Sequence, residues 1–331
     1  MIVKNTKKRL PQEFVQPVAD ASETIGFPLD LEQGIMPARE KLMQFIEQAL
    51  ETSKNIEGIE KLKREAIYGD DNYPVPLFIY YPENQNKALP VLYWIHGGGL
   101  VVGTAQQDEV ILKNIVKDMG CVVVAVDYRL APEYPFPKPL EDCYAGLEYV
   151  FDHAADLNID TNHIVVGGAS AGGGLTAALA QITCDKGKIS LAHQLLLYPM
   201  LDPLNITQAG GDIDDTYIWT RSNNLFGWTS YLGQKPKEGA IPKYASAFYN
   251  HELTNLPPAT IMVGDIDLFA QEDITYATKL SAAGVPVELH VYPGGVHVFE
   301  IINPEARISQ NFLAARDNAL KAALENSVVQ Y

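Results

Sequence analysis

The stretch His163-Ile164-Val165-Val166-Gly167-Gly168-Ala169-Ser170-Ala171-Gly172-Gly173-Gly174 runs from an apolar β-type segment directly into a helical pattern, with Leu175, Leu179 and Ile182 at i, i+4 and i+7. Its centre is Gly168-x-Ser170-x-Gly172, a serine between glycines. A sharp strand-to-helix turn crowds the neighbouring backbones, so small flanking residues are a steric demand and the apical serine is held out as a nucleophile. A phosphate loop is the competing reading of so many glycines. It fails because neither GxxxxGK[ST] nor GxGxxG fits and no lysine follows.

Outward from this turn, apolar β-type runs alternate with helical periodicity. The runs fall at residues 90–95, 121–126, 163–167, 193–198, 259–263 and 285–292, and a leading hairpin is expected from 61–68 and 76–81 around a turn beginning Gly69-Asp70-Asp71-Asn72. Such alternation predicts an α/β fold: a mainly parallel, eight-stranded sheet with helices on both faces. Two segments break the rhythm. Residues 1–55 carry a helix starting near Pro37, with Leu42, Phe45, Ile46, Ala49 and Leu50 on one stripe. Residues 202–246 carry another, with Leu225, Trp228, Tyr231 and Leu232 on one face and Gly233 as its stop. The division expected is an N-terminal cap segment (1–55), a core (56–201 and 247–331) and a cap insertion (202–246), the caps lying over the end of the sheet where such folds bind ligands.

Composition sets the setting. The 331 residues are 47% hydrophobic and 20% charged, the balance of a folded globular chain. A net charge of −16 repels phosphate backbones and anionic lipid surfaces, so neither nucleic acid nor membrane is an expected partner. Lys4, Lys7, Lys8 and Arg9 are not followed by an apolar segment resembling a signal peptide. Cys121, Cys143 and Cys184 form no CxxC pair and read as reduced thiols of a cytoplasmic protein, with no metal site implied.

Upstream, His96-Gly97-Gly98-Gly99 ends the run at 90–95, 74 residues before Ser170. Consecutive glycines bare backbone N–H groups, which is what a loop needs in order to donate to an oxyanion; Ala171, the residue after the nucleophile, supplies a further donor. A serine hydroxyl needs a base, and the base needs an orienting acid. Of the four histidines after Ser170, His193 opens a strand at the wrong end of the sheet, His251 precedes the last two strands and His290 lies inside the last one. His297 alone occupies the loop beyond that strand, after Pro293-Gly294-Gly295. The acid belongs to the loop after 259–263, where Asp265 and Asp267 both stand and pattern alone does not separate them.

Taken together, HGGG, Asp127-Tyr128-Arg129-Leu130-Ala131-Pro132-Glu133, the turn around Ser170, and Tyr292-Pro293-Gly294-Gly295-Val296-His297-Val298-Phe299 resemble the hormone-sensitive-lipase-like family of bacterial esterases within the α/β hydrolases. In that family the acid opens D-x-L-x-x-E with a tyrosine nine residues on. Asp267, Glu272 and Tyr276 keep that register, with Phe269 in the leucine position, so the resemblance selects Asp267. It further implies an α/β-hydrolase fold with a helical cap and an oxyanion hole from Gly98, Gly99 and Ala171; because water completes an acyl-enzyme cycle, no metal or organic cofactor is expected. Ala169, Leu100 and Val298 depart from the family's usual residues, which bears on substrate fit. Asp127 and Arg129 read as structural.

The expected activity is hydrolysis of short-chain acyl esters through an acyl-enzyme, with deacetylation or amide hydrolysis as alternatives of the same chemistry. A non-catalytic receptor of this fold is disfavoured because His297 is present. Phe45, Leu100, Leu225, Phe226, Trp228 and Val298 are the expected pocket residues. The last strand, from Val285 to Tyr292, would be a sheet edge and invites pairing with a second copy of the chain.

Overall fold

The central strands of the sheet carry long apolar runs, as at 89–95, 122–126 and 259–264, because both of their faces are covered. In the computed structural model, which describes residues 9–32, 34–67, 72–84, 86–205 and 217–325, the chain opens with helices α1 (Gln12–Ile25) and α2 (Met36–Ser53). There follow β1 (Ile59–Ile67), β2 (Pro74–Pro82), β3 (Leu89–Ile95), α3 (Glu109–Met119), β4 (Val122–Val126), α4 (Lys138–Asp152), β5 (Ile159–Ala169), α5 (Ala171–Lys186) and β6 (His193–Leu197). The chain closes with α6 (Arg221–Leu232), β7 (Ala259–Gly264), α7 (Ala270–Ala282), β8 (Val287–Tyr292), the single turn α8 (Phe299–Ile302) and α9 (Arg307–Glu325).

The eight strands form one sheet in the order β1-β2-β4-β3-β5-β6-β7-β8. β2 is antiparallel to both β1 and β4, and the remaining pairs are parallel. Alternation along each strand distributes its side chains between two cores. Val91, Tyr93 and Ile95 of β3, with Val122, Val124 and Val126 of β4, face α4 and α5 through Leu140, Leu147, Leu175 and Leu179. Leu92, Trp94, Val123 and Ala125 face the other way, against Leu112, Ile115 and Val116 of α3 and Phe312 and Leu320 of α9. A third cluster joins Leu196 and Ile261 to Tyr276 and Leu280 of α7. Each parallel crossover delivers a strand's C-terminal end to the same edge of the sheet, so the loops after β3, β5, β7 and β8 converge there.

Several expectations shift in detail. The leading hairpin is present as β1 and β2, but Tyr68 and the expected turn at 69–71 lie outside the described residues, as do Lys4, Lys7, Lys8 and residues 206–216 of the 202–246 segment. α1 has no counterpart in the sequence reading. Pro17 inside it reads as a breaker, yet the helix forms and buries Phe14 and Val18. The last strand begins at Val287 instead of Val285; Val285 is buried ahead of it, and the carbonyl of Pro286 accepts from Ala259 N–H. α6 starts at Arg221 with Thr220 as its N-cap and stops at Gly233, whose φ is +67°.

The face that α6 buries differs from the expected one. Asn223, Asn224, Gly227, Trp228 and Tyr231 point inward, and Leu225 is 42% exposed. Two asparagines set that rotation. Asn223 exchanges hydrogen bonds of 3.0 Å with both the N–H and the carbonyl of Leu29, and Asn224 accepts from the Trp219 indole. Buried amides with specific partners override the apolar pattern on which the sequence reading relied.

Candidate active site

Ser170 follows the last residue of β5, with φ 56° and ψ −121°, and α5 begins at the next residue. The turn tolerates almost nothing on its flanks. A Cβ at Gly168 would sit 2.5 Å from the Gly172 carbonyl oxygen, and one at Gly172 would sit 2.1 Å from that of Ile95. The serine's own backbone is tied to β6, donating to the Leu197 carbonyl at 2.9 Å and accepting from Met200 N–H at 2.9 Å. These bonds hold a conformation that costs roughly 1–3 kcal/mol for a residue other than glycine.

The loops after β7 and β8 lie back to back because both carry glycine at the contact. A Cβ on Gly264 would come within 2.1 Å of the Gly295 carbonyl oxygen. The contact brings His297 beside Asp267: Nδ1 and Asp267 Oδ2 are 2.7 Å apart, and Nε2 lies 3.0 Å from Ser170 Oγ. Asp267 Oδ1 accepts from the Phe269 N–H at 2.9 Å, so both carboxylate oxygens are engaged. All three side chains are buried: Ser170 is 7% exposed, Asp267 1% and His297 4%. The rings of Tyr198 and Phe269 stand edge-on to the imidazole at centroid distances of 5.0 and 5.2 Å.

Asp265 occupies a different place. It accepts from Gly294 N–H at 2.7 Å, pairs with Arg9 and so pins the two loops together, without reaching the imidazole. The other histidines stay apart as well. His193 contacts Thr260 at 2.9 Å from the start of β6, and His290 contacts Glu288 at 2.8 Å on β8. Behind the site lie buried acids kept toward their neutral form. Burial raises Glu300, which accepts from the Tyr198 hydroxyl, and burial with the neighbouring Glu272 and Asp267 raises Asp273.

The HGGG loop folds over the same edge. Gly98 and Gly99 have φ of +122° and +60°, and the Gly98 carbonyl accepts from the N–H groups of Val101 and Val102 at 3.1 and 2.9 Å. Ala171, first in α5, is one of the helix N-terminal residues whose N–H has no intrahelical acceptor. His96 is fully buried, stacked on Tyr128 at 4.2 Å, and burial lowers its basicity. Asp127 accepts from Thr104 and Ala105 behind this loop, and Arg129 forms a buried pair with Asp142 at 2.6 Å.

Of the expected pocket residues, Leu100 and Trp228 are buried, and Phe45, Phe226 and Val298 are half-buried. Leu225 turns to solvent, for the reason given by the α6 asparagines, and does not belong with them. The sequence reading missed Trp219. The far edge of its indole ring lies against Gly99, so close that a Cβ there would be 2.0 Å from it. Nothing periodic surrounds Trp219; its aromatic character within the 202–246 segment was the only signal.

A serine on a tight turn after the fifth strand, a histidine after the last and an aspartate after the one before it follow the order in which an α/β hydrolase places its reactive side chains. The family model for the alpha/beta hydrolase fold matches residues 92–301. Carboxylesterase NlhH of Mycobacterium tuberculosis is 31% identical over 294 residues, covering 87% of this chain and 91% of that one. A solved bacterial heroin esterase superposes with a TM-score of 0.87 at 33% identity, covering 97% of this chain and 100% of that one. Esterase LipW from Mycobacterium marinum gives 0.82 at 29% identity, with 98% of each chain covered. The chain belongs to the hormone-sensitive-lipase-like family of α/β hydrolases. It is a carboxylic ester hydrolase.

Proposed function

We propose that the chain cleaves short-chain acyl esters through a covalent acyl-enzyme formed on Ser170. The observation that carries this reading is the continuous chain from Ser170 Oγ to His297 to Asp267, at 3.0 and 2.7 Å. His297 Nε2 takes the hydroxyl proton as Oγ attacks the ester carbonyl carbon; Asp267 fixes the tautomer with hydrogen on Nδ1 and stabilises the imidazolium. The N–H groups of Gly98, Gly99 and Ala171 receive the oxyanion, each worth about 3 kcal/mol in the transition state. Collapse expels the alcohol, which takes the proton from His297. Water, deprotonated by the same imidazole, then releases the acid and regenerates the serine.

α1, α2 and α6 act as the cap in this reading. The buried indoles of Trp219 and Trp228 crowd the region beside Gly99 and Leu100 and favour a small acyl group. A panel of p-nitrophenyl esters of increasing chain length tests the reading. Acyl chains of roughly two to six carbons are turned over fastest, and fastest turnover of long-chain triglyceride emulsions would overturn it.

The strand β8 is the open edge of the sheet, with Leu289 and Val291 exposed on one of its faces, and supports a homodimer built across a two-fold axis. The three thiols, unpaired among the described residues, fit a reducing, cytoplasmic setting.

A further inference from the structure

Arg39, on α2, reaches across the outer side of the HGGG loop, far in sequence from the residues it touches. Its Nε donates to the Val101 carbonyl at 2.8 Å and one Nη donates to the Ala131 carbonyl at 2.9 Å. Both Nη atoms also meet the Glu133 carboxylate at 2.8 Å. The two carbonyls belong to a single hydrogen-bonded unit. Val101 N–H closes the turn onto the Gly98 carbonyl at 3.1 Å, and Ala131 N–H donates to the Leu100 carbonyl at 3.0 Å. The guanidinium therefore ties the far end of the Gly98–Val101 turn to the 129–133 segment.

On its other side the loop rests on the core, where the Tyr128 hydroxyl donates to the His96 carbonyl at 3.0 Å, while two further contacts come from the side of Arg39. The Trp219 ring edge presses on Gly99, and a Cβ on Gly227 of α6 would lie 2.6 Å from the Gly99 carbonyl oxygen. With Gly98 and Gly99 both at positive φ, the peptide planes carrying their N–H groups are set by what lies outside the loop as much as by the loop itself. We propose that Arg39 is a positioning residue for the oxyanion donors, so that the N-terminal helix contributes to the chemical step through the aim of the Gly98 and Gly99 N–H groups. This rests on the oxyanion-hole reading above. The ion pair with Glu133 does not explain the arrangement, since Glu133 is 45% exposed and such pairs contribute little to stability. The bonds to two main-chain carbonyls need the planar fork of arginine, which a lysine ammonium lacks.

The test compares wild type, Arg39→Lys and Arg39→Ala on a short-chain p-nitrophenyl ester, together with inhibition by an alkylboronic acid, whose tetrahedral serine adduct places an oxygen at the oxyanion position. A misplacement of about 1 Å costs on the order of a hundredfold. The expected result is a kcat loss of about tenfold in Arg39→Lys and up to about a hundredfold in Arg39→Ala, KM within about twofold, and boronate affinity falling in step with kcat/KM. If Arg39→Ala does not fold, Arg39→Lys carries the comparison. Unchanged kcat and boronate affinity in the folded variants, or a loss confined to KM, overturns the role of Arg39 and leaves the oxyanion reading standing. Failure of the boronate to inhibit wild type overturns the oxyanion reading itself, and the proposal with it.

Discussion

Replacing Asp267 by asparagine removes one charge from the buried chain while preserving its shape. The amide oxygen can still accept from Phe269 N–H, which Asp267 Oδ1 does at 2.9 Å, so the turn is retained. The amide nitrogen then faces His297 Nδ1, where a carboxylate oxygen stands at 2.7 Å in the native protein. Two donors cannot share that contact, so Nδ1 becomes the acceptor and the proton moves to Nε2, the atom 3.0 Å from Ser170 Oγ that in the proposed mechanism takes the serine's proton. The loss known for this tautomer error is roughly ten-thousandfold in kcat. At about 1.4 kcal/mol per tenfold this is about 5 kcal/mol of transition-state stabilisation. Asp265→Asn keeps an acceptor for Gly294 N–H and loses only a partly exposed pair with Arg9, so kcat should stay within about threefold. Steady-state hydrolysis of p-nitrophenyl butyrate by both variants decides the matter. An Asp267→Asn protein retaining more than about a tenth of wild-type kcat, or a larger loss in Asp265→Asn, refutes the reasoning.

Further expectations concern the frame around the site. Gly172→Ala places a methyl 2.1 and 2.4 Å from the carbonyl oxygens of Ile95 and His96, main-chain atoms that have no room to retreat, so denaturant titration should show a stability loss of about 3 kcal/mol or more alongside lost turnover. Burial holds the His193 imidazole down at about 4, below its ordinary 6.5; the unfolded chain binds this proton first, so stability falls as pH drops from 6.5 toward 4. That site contributes at most about 3 kcal/mol, and melting curves of His193→Gln over this range should be flatter than those of wild type. Light scattering should give the mass of two chains, and Leu289→Arg on the open edge of β8 should return it to one; a single-chain mass for the unaltered protein at micromolar concentration removes the dimer.

What the sequence reveals about this molecule is local. The run into Gly168-Ala169-Ser170-Ala171-Gly172 carries its own turn, because the steric demands on Gly168 and Gly172 come from atoms a few residues away or on the adjoining strand. His297 is legible through its place after the last strand. Asp265 and Asp267 are not separable by spacing alone, since both follow β7; what divides them is that Asp265 turns to Gly294 and Arg9, and Asp267 to His297. Features set by distant partners escape the pattern. α1 survives Pro17 by burying Phe14 against Phe299, α6 rotates to satisfy Asn223 and Asn224, and Arg39 finds the Val101 carbonyl 62 residues away. Hydrophobic periodicity records burial, and it is silent about a polar side chain whose partner lies elsewhere in the chain.

The claim on which the rest depends is that Ser170 becomes acylated. Rapid acid quench of the enzyme with a slowly deacylating p-nitrophenyl ester, followed by mass spectrometry of the digested protein, reads this directly. The expected result is one acyl group per chain, on the peptide holding Ser170, absent in Ser170→Ala together with ester hydrolysis. An acyl group on another residue, or hydrolysis persisting undiminished in Ser170→Ala, contradicts it.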